Sequence, residues 1–223
     1  RVSRQLFQPL FPRWPQHEVP VTHITNGVHV PSWDSVEADR IWTDTCGKER
    51  WLGGLDQLEE QVTRISDQTL WDIRTHCRQR LIGFARDRLK RQYSVRNAPA
   101  ERIEQTPNLL DPNTLTLGFA RRFTAYKRPD MLLADPERLH RILTHPLHPV
   151  QLIIAGKAHP KDHTGKAMIR RWNAFIESRP ELAGHVAFLA DYDMLIAEQM
   201  VQGVDLWINT PRRPWEASGT SGM

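Results

Sequence analysis

The run Arg121-Arg122-Phe123-Thr124-Ala125-Tyr126-Lys127-Arg128 places four cations within eight residues. Guanidinium forks grip oxyanions in a bidentate way and a lysine adds a point charge, so this spacing suits a phosphate group. A second stretch, from Asn209 to Met223, carries Glu216 beside Ser218, Gly219, Thr220, Ser221 and Gly222. Glycines and small residues let a backbone approach a ligand closely and turn successive amides inward as an anion nest. The same composition also fits a flexible loop, and neither a phosphate-loop nor a dinucleotide fingerprint is complete. Three smaller features are candidates too. Thr25-Asn26-Gly27 reads as a tight turn, Gly156-Lys157 as an anion contact or a simple exit loop, and Tyr192-Asp193 as a strand-end pair in which Asp193 also suits a helix cap.

The surrounding pattern puts most of these groups at strand ends. Apolar runs predict strands over 114–119, 150–155, 186–190 and 204–209. Between them lie a helix over 128–143, a helix with Met168, Ile169, Trp172, Phe175 and Ile176 on one face, and a helix over 194–202. Continuous apolar strands alternating with amphipathic helices mean βαβ units, hence an α/β fold with a Rossmann-like parallel sheet and helices on both faces. In such a sheet the ligand crevice lies beyond the carboxyl ends of the strands. The segments 120–128, 156–163, 191–193 and 210–223 are therefore the candidate site.

Upstream, Pro9, Pro12, Pro15, Pro20 and Pro31 make residues 1–33 read as an extended connector with a short strand-like run from Val19 to Thr25. A helical rhythm follows to about Tyr93, with Leu70, Ile73, Cys77, Leu81 and Phe84 recurring behind the cap candidates Ser66 and Asp67. Arg74, Arg78, Arg86 and Lys90 read as the solvated opposite face. The polar, proline-marked stretch 97–113 reads as a boundary, with 1–113 and 114–223 as its two sides.

The 223 residues are 39% hydrophobic, enough for a packed core. The charge of +4, from 30 basic and 26 acidic side chains, slightly favours a small anionic ligand and says little about nucleic acid, which is not an expected partner. No apolar run approaches the length of a spanning helix, so no membrane partner is expected. Cys46 and Cys77 lack metal or disulfide spacing, which suits a reducing cytoplasm. His145, His148, His159 and His163 are interrupted by prolines, and no metal site is expected from them.

Taken in order, Ile24-Thr25-Asn26-Gly27-Val28-His29-Val30-Pro31-Ser32-Trp33, Ala120 to Arg128, Ala155-Gly156-Lys157-Ala158, Phe188 to Tyr192 and Glu216 to Met223 resemble the α-glucan (glycogen, starch, maltodextrin) phosphorylases, closest to the bacterial-type branch. The resemblance implies a two-domain GT-B-type glycosyltransferase architecture. Here 1–113 would hold the end of the N-terminal domain and the crossing segment, and 114–223 a C-terminal Rossmann-like domain. It implies phosphorolysis of α-1,4-glucan ends, including maltooligosaccharides, by orthophosphate to give glucose 1-phosphate. It also implies pyridoxal phosphate as cofactor, whose phosphate group shuttles a proton.

Carried over residue by residue, the resemblance makes Arg122 and Lys127 the catalytic phosphate binders. Arg121, Thr220 and Ser221 would face the cofactor phosphate, and Trp33 and Tyr192 would line the cofactor. Glu216, Ser218, Gly219 and Asn26 would bind the glucose unit, with Tyr126 walling its pocket. The sequence departs from the pattern at Arg121, where many members have Lys, at Thr124, where the animal-type pattern has His, and at Asp193, which replaces Arg. The family's cofactor-bearing lysine is expected directly after Met223, and the chain alone is expected to be inactive. A homo-oligomer is left open. The rival readings are a glucan synthase-like transferase using a nucleotide sugar, and a non-catalytic module binding glucan or, through the arginine-rich helix at 74–91, nucleic acid.

Overall fold

The computed structural model describes residues 2–24, 27–50, 52 and 58–212. The proline-rich start forms a short helix α1 (Val2–Phe7) and single turns rather than a long element. The strand expected from Val19 is absent among the described residues, although Val19 itself is buried. Ser35 caps α2 (Val36–Cys46) by accepting from Ala38 N at 3.0 Å. A short α3 (Leu58–Val62) leads to α4 (Asp67–Val95), whose first turn is capped by Ser66 accepting from Thr69 N. After α5 (Ala100–Glu104) come β1 (Leu115–Arg122), α6 (Pro136–Leu143), β2 (Val150–Lys157), α7 (His163–Glu177), β3 (Val186–Leu189), α8 (Met194–Gly203) and β4 (Leu206–Trp207).

The four strands are parallel, in the order β3-β2-β1-β4. One face of the sheet buries Leu139, Leu143, Met168, Trp172 and Phe175 of α6 and α7 with Phe119, Leu152 and Ile154. The other buries Leu81, Ile82, Ala85 and Leu89 of α4 and Ile196 and Met200 of α8 with Ala120, Ile153 and Leu189. Helices cover both faces, as the unbroken apolar runs require.

Two expectations need correction. The helix expected over 128–143 begins only at Pro136: Asp135 accepts from Arg138 N at 2.9 Å as its cap, and the preceding residues form single turns. Arg74, Arg78 and Arg86 of α4 are not a solvated face, whereas Lys90 is exposed as expected. Arg78 is 5% exposed, ion-paired to Asp205 at 2.8 Å and bonded to the Pro112 carbonyl; Arg74 donates to Gln202 O, and Arg86 to the Leu109 and Leu110 carbonyls at 2.7 Å. Helix α4, before the 97–113 stretch, and the sheet after it share one core.

Candidate active site

The order β3-β2-β1-β4 means the chain winds outward from β1 through β2 to β3, then returns to β4 on the other side of β1. Crossovers diverge between β1 and β4, and in sheets of this kind the carboxyl ends of the strands at such a switch point are where a ligand crevice is expected. Arg121 and Arg122 end β1 there.

β1 persists beyond its last residue because Phe123 N donates to Lys157 O at 2.9 Å. The Phe123 ring is fully buried, edge-on to Phe119 and Phe188 at 6.2 and 5.8 Å between centroids. Gly156 lies beneath it; an added Cβ would sit 2.1 Å from that ring. A phenylalanine and the glycine that admits it thus fix the exit angle of the cationic segment. Thr124 is extended, Ala125–Lys127 make a single turn, and Arg128 closes it in the left-handed region at φ 45°.

That turn is stitched to the segment after β4. Arg128 donates from Nε to Thr210 O at 2.9 Å and from Nη2 to Pro211 O at 3.2 Å. Thr210 Oγ1 donates to the Lys127 carbonyl at 2.9 Å, and Arg212 N to the Tyr126 carbonyl at 2.7 Å. The fourth cation of the cluster, Arg128, is thereby a structural tie. The first three define the site: Arg121 is 4% and Lys127 9% exposed, with Lys127 Nζ 5.1 Å from the centre of the Tyr126 ring, whereas Arg122 is exposed.

Arg122 is the register partner of Lys157 at the end of β2, and both side chains are exposed without an ion pair among the described residues. Like charges side by side on a sheet repel, so an oxyanion between them is favoured. Thr124 Oγ1 adds a buried hydroxyl with no hydrogen-bond partner among the described residues. Tyr192 follows Asp191, itself left-handed at φ 56°. Burial pushes the Tyr192 phenol above its ordinary range, and the nearby Arg121 charge partly offsets this by favouring the phenolate. Arg121, Lys127, Tyr126 and Arg122 therefore gather at the switch point, with Tyr192 within the electrostatic reach of Arg121.

Asp193 lies just beyond, with its own structural tasks: it caps α8 by accepting from Ile196 N at 2.8 Å and pairs with Arg88 at 2.9 Å. The Trp33 carbonyl accepts from Gln202 Nε2 at 3.3 Å in the last turn of α8, and Tyr192 precedes the first turn of the same helix. Asn26, Glu216, Ser218, Gly219, Thr220 and Ser221 lie outside the described residues.

A family profile for carbohydrate phosphorylases matches residues 2–223. The chain belongs to the carbohydrate phosphorylase family. It is 41% identical, over its whole length, to a glycogen phosphorylase of Mycobacterium tuberculosis, of which it covers 26%. It is 40% identical to a glycogen phosphorylase of Aquifex aeolicus, covering 32% of it, and 39% identical to a maltodextrin phosphorylase of Thermococcus litoralis, covering 26%. The chain spans about a quarter to a third of the length of these relatives. Within this phosphorylase segment the residues that reading the sequence missed are Thr210, Phe123 and the structural use of Arg128. Position after a strand marked Thr210 as a candidate segment, but no periodicity signals a hydrogen bond spanning 83 residues.

Proposed function

We propose that this segment supplies the phosphate-handling side of the active site of an α-glucan phosphorylase. The reaction is attack of orthophosphate on the terminal glucose of an α-1,4-glucan. The anomeric carbon exchanges its bond to the 4-oxygen of the next unit for a bond to phosphate with retained configuration, and that oxygen leaves with a proton. The observation that carries the reading is the cationic turn held at the β1/β4 switch point, where Arg122 is exposed beside Lys157 while Arg121 and Lys127 are buried. The names of the relatives supply the substrate class: glycogen for two, maltodextrin for the third.

The donor set fits a second phosphate as well as the first. Guanidiniums, an ammonium and the Thr124 hydroxyl, which has no partner among the described residues, all donate to oxyanions. Pyridoxal phosphate would supply, through its phosphate group, acid chemistry toward the departing oxygen. Arg121, with Thr220 and Ser221, would hold that phosphate, and Tyr192 and Trp33 would line the cofactor. Arg122 and Lys127 hold orthophosphate close to it against mutual repulsion, a task in which desolvated, preorganised cations act most strongly. Glu216, Ser218, Gly219 and Asn26 orient the glucose hydroxyls, and Tyr126 closes the pocket. The chain covers 26 to 32% of its relatives' length, so turnover is expected of a polypeptide of that length.

The test is release of glucose 1-phosphate from maltoheptaose and orthophosphate by such a polypeptide carrying residues 1–223 and loaded with pyridoxal phosphate. Orthophosphate-dependent release with the α configuration supports the reading; glucosyl transfer from a nucleotide sugar without orthophosphate overturns it.

A further inference from the structure

The outer edge of β3 carries backbone groups that nothing in the sheet satisfies. Leu152 lies opposite Val186 and its N–H donates to His185 O, so His185, Ala187 and Leu189 turn their backbone groups toward β2. Val186, Phe188 and Ala190 turn theirs outward. Gln92 of α4 takes two of these groups, donating from Nε2 to Phe188 O at 3.1 Å and accepting from Ala190 N at 2.9 Å. Val186 N, Val186 O and Phe188 N meet no protein partner among the described residues. Both residues are only 5% exposed, and buried backbone groups without partners are rare.

A cleft of about 330 Å3 opens onto this edge, lined by Tyr93, Arg96, Arg102, Asn173, Ile176 and Glu177 along with the two strand residues. The Arg102 guanidinium lies over the Tyr93 ring at 4.5 Å, while Arg96 and Glu177 are exposed. Three ligand chemistries can be compared. A phosphate offers acceptors alone and would face the Val186 carbonyl and the Glu177 carboxylate. An added peptide strand would need the Phe188 and Ala190 positions that Gln92 already fills, and the cleft is at the small end even for a small ligand. A pair of neighbouring hydroxyls donates to the Val186 carbonyl and accepts from the amides at once, with Asn173, Glu177 and the arginines reading the remaining oxygens.

We propose that this cleft binds a terminal glucose unit of an α-glucan chain, at the strand edge farthest from the β1/β4 crevice. The choice of an α-glucan among hydroxyl-rich ligands rests on the proposed function; the open strand edge does not. Isotope-labelled protein titrated with maltotriose tests this by its amide spectra. The expected result is saturable movement of the Val186 and Phe188 amides, weakened about ten-fold or more in Asn173→Ala and Glu177→Ala and unchanged in Arg122→Ala. Asn173→Asp, which keeps the side-chain shape, guards against a folding defect. Movement of these amides by inorganic phosphate instead, no movement with any ligand, or loss of the response in Arg122→Ala would each overturn the proposal. Because the readout is binding, failure here leaves phosphorolysis untouched, and failure of phosphorolysis leaves this readout intact.

Discussion

Arg121 and Arg122 are neighbours in sequence and opposites in environment, one 4% exposed and the other open to solvent. Their density and type were legible from the sequence, because four cations in eight residues after a strand is a local pattern. Which cation would be buried was not, since that depends on Gly156, Phe123 and the segment after β4. Arg121 is expected to hold down the Tyr192 phenol: Arg121→Met should raise that already elevated pKa further, as read from phenolate absorbance during an alkaline titration. The folded state keeps the Tyr192 proton more tightly than the unfolded chain, so its stabilising effect is complete below the ordinary phenol range. It is lost as pH rises through the folded pKa. A second residue-scale prediction concerns Gly156. Gly156→Ala sets a methyl against the Phe123 ring and 3.0 Å from the Arg121 carbonyl, so urea denaturation should show a loss of about 2 kcal/mol.

At the scale of elements, periodicity located α4 and its cap, yet misread the arginine-rich face. Periodicity reports which residues share a side; it does not report that Asp205 waits 127 residues away from Arg78. Arg78 and Arg74 converge on Asp205, whose other oxygen accepts from Thr116 N at 2.8 Å, so α4, the start of β4 and the start of β1 meet on one carboxylate. Arg78→Met leaves that carboxylate short of a buried partner and should cost about 3 kcal/mol in urea denaturation. Arg80→Ala removes a far more exposed pair with Glu37 and should cost under about 1 kcal/mol. The rank order of the two variants is the measurement. The β-strands were legible because parallel strands covered on both faces read as unbroken apolar runs. The late start of α6 was not, although Pro129, Asp135 and Pro136 hold its signals, because an apolar run across them hid the break.

For the whole molecule, the family likeness runs the full length of the chain, while the chain is only 26 to 32% of the relatives' length. The fold class and the position of the crevice followed from element order alone. The sugar side of the site, at Asn26 and Glu216 to Gly219, rests on motif resemblance and lies outside the described residues. The proposed function converges on one physical claim, that the turn at 121–128 holds orthophosphate. The most direct test is the orthophosphate dependence of glucose 1-phosphate release by the full-length, cofactor-loaded polypeptide, compared with its Lys127→Ala and Arg122→Ala variants. The account predicts a fall of about a hundred-fold or more in kcat/KM for orthophosphate, with maltoheptaose binding retained; an unchanged orthophosphate dependence in both variants would contradict it.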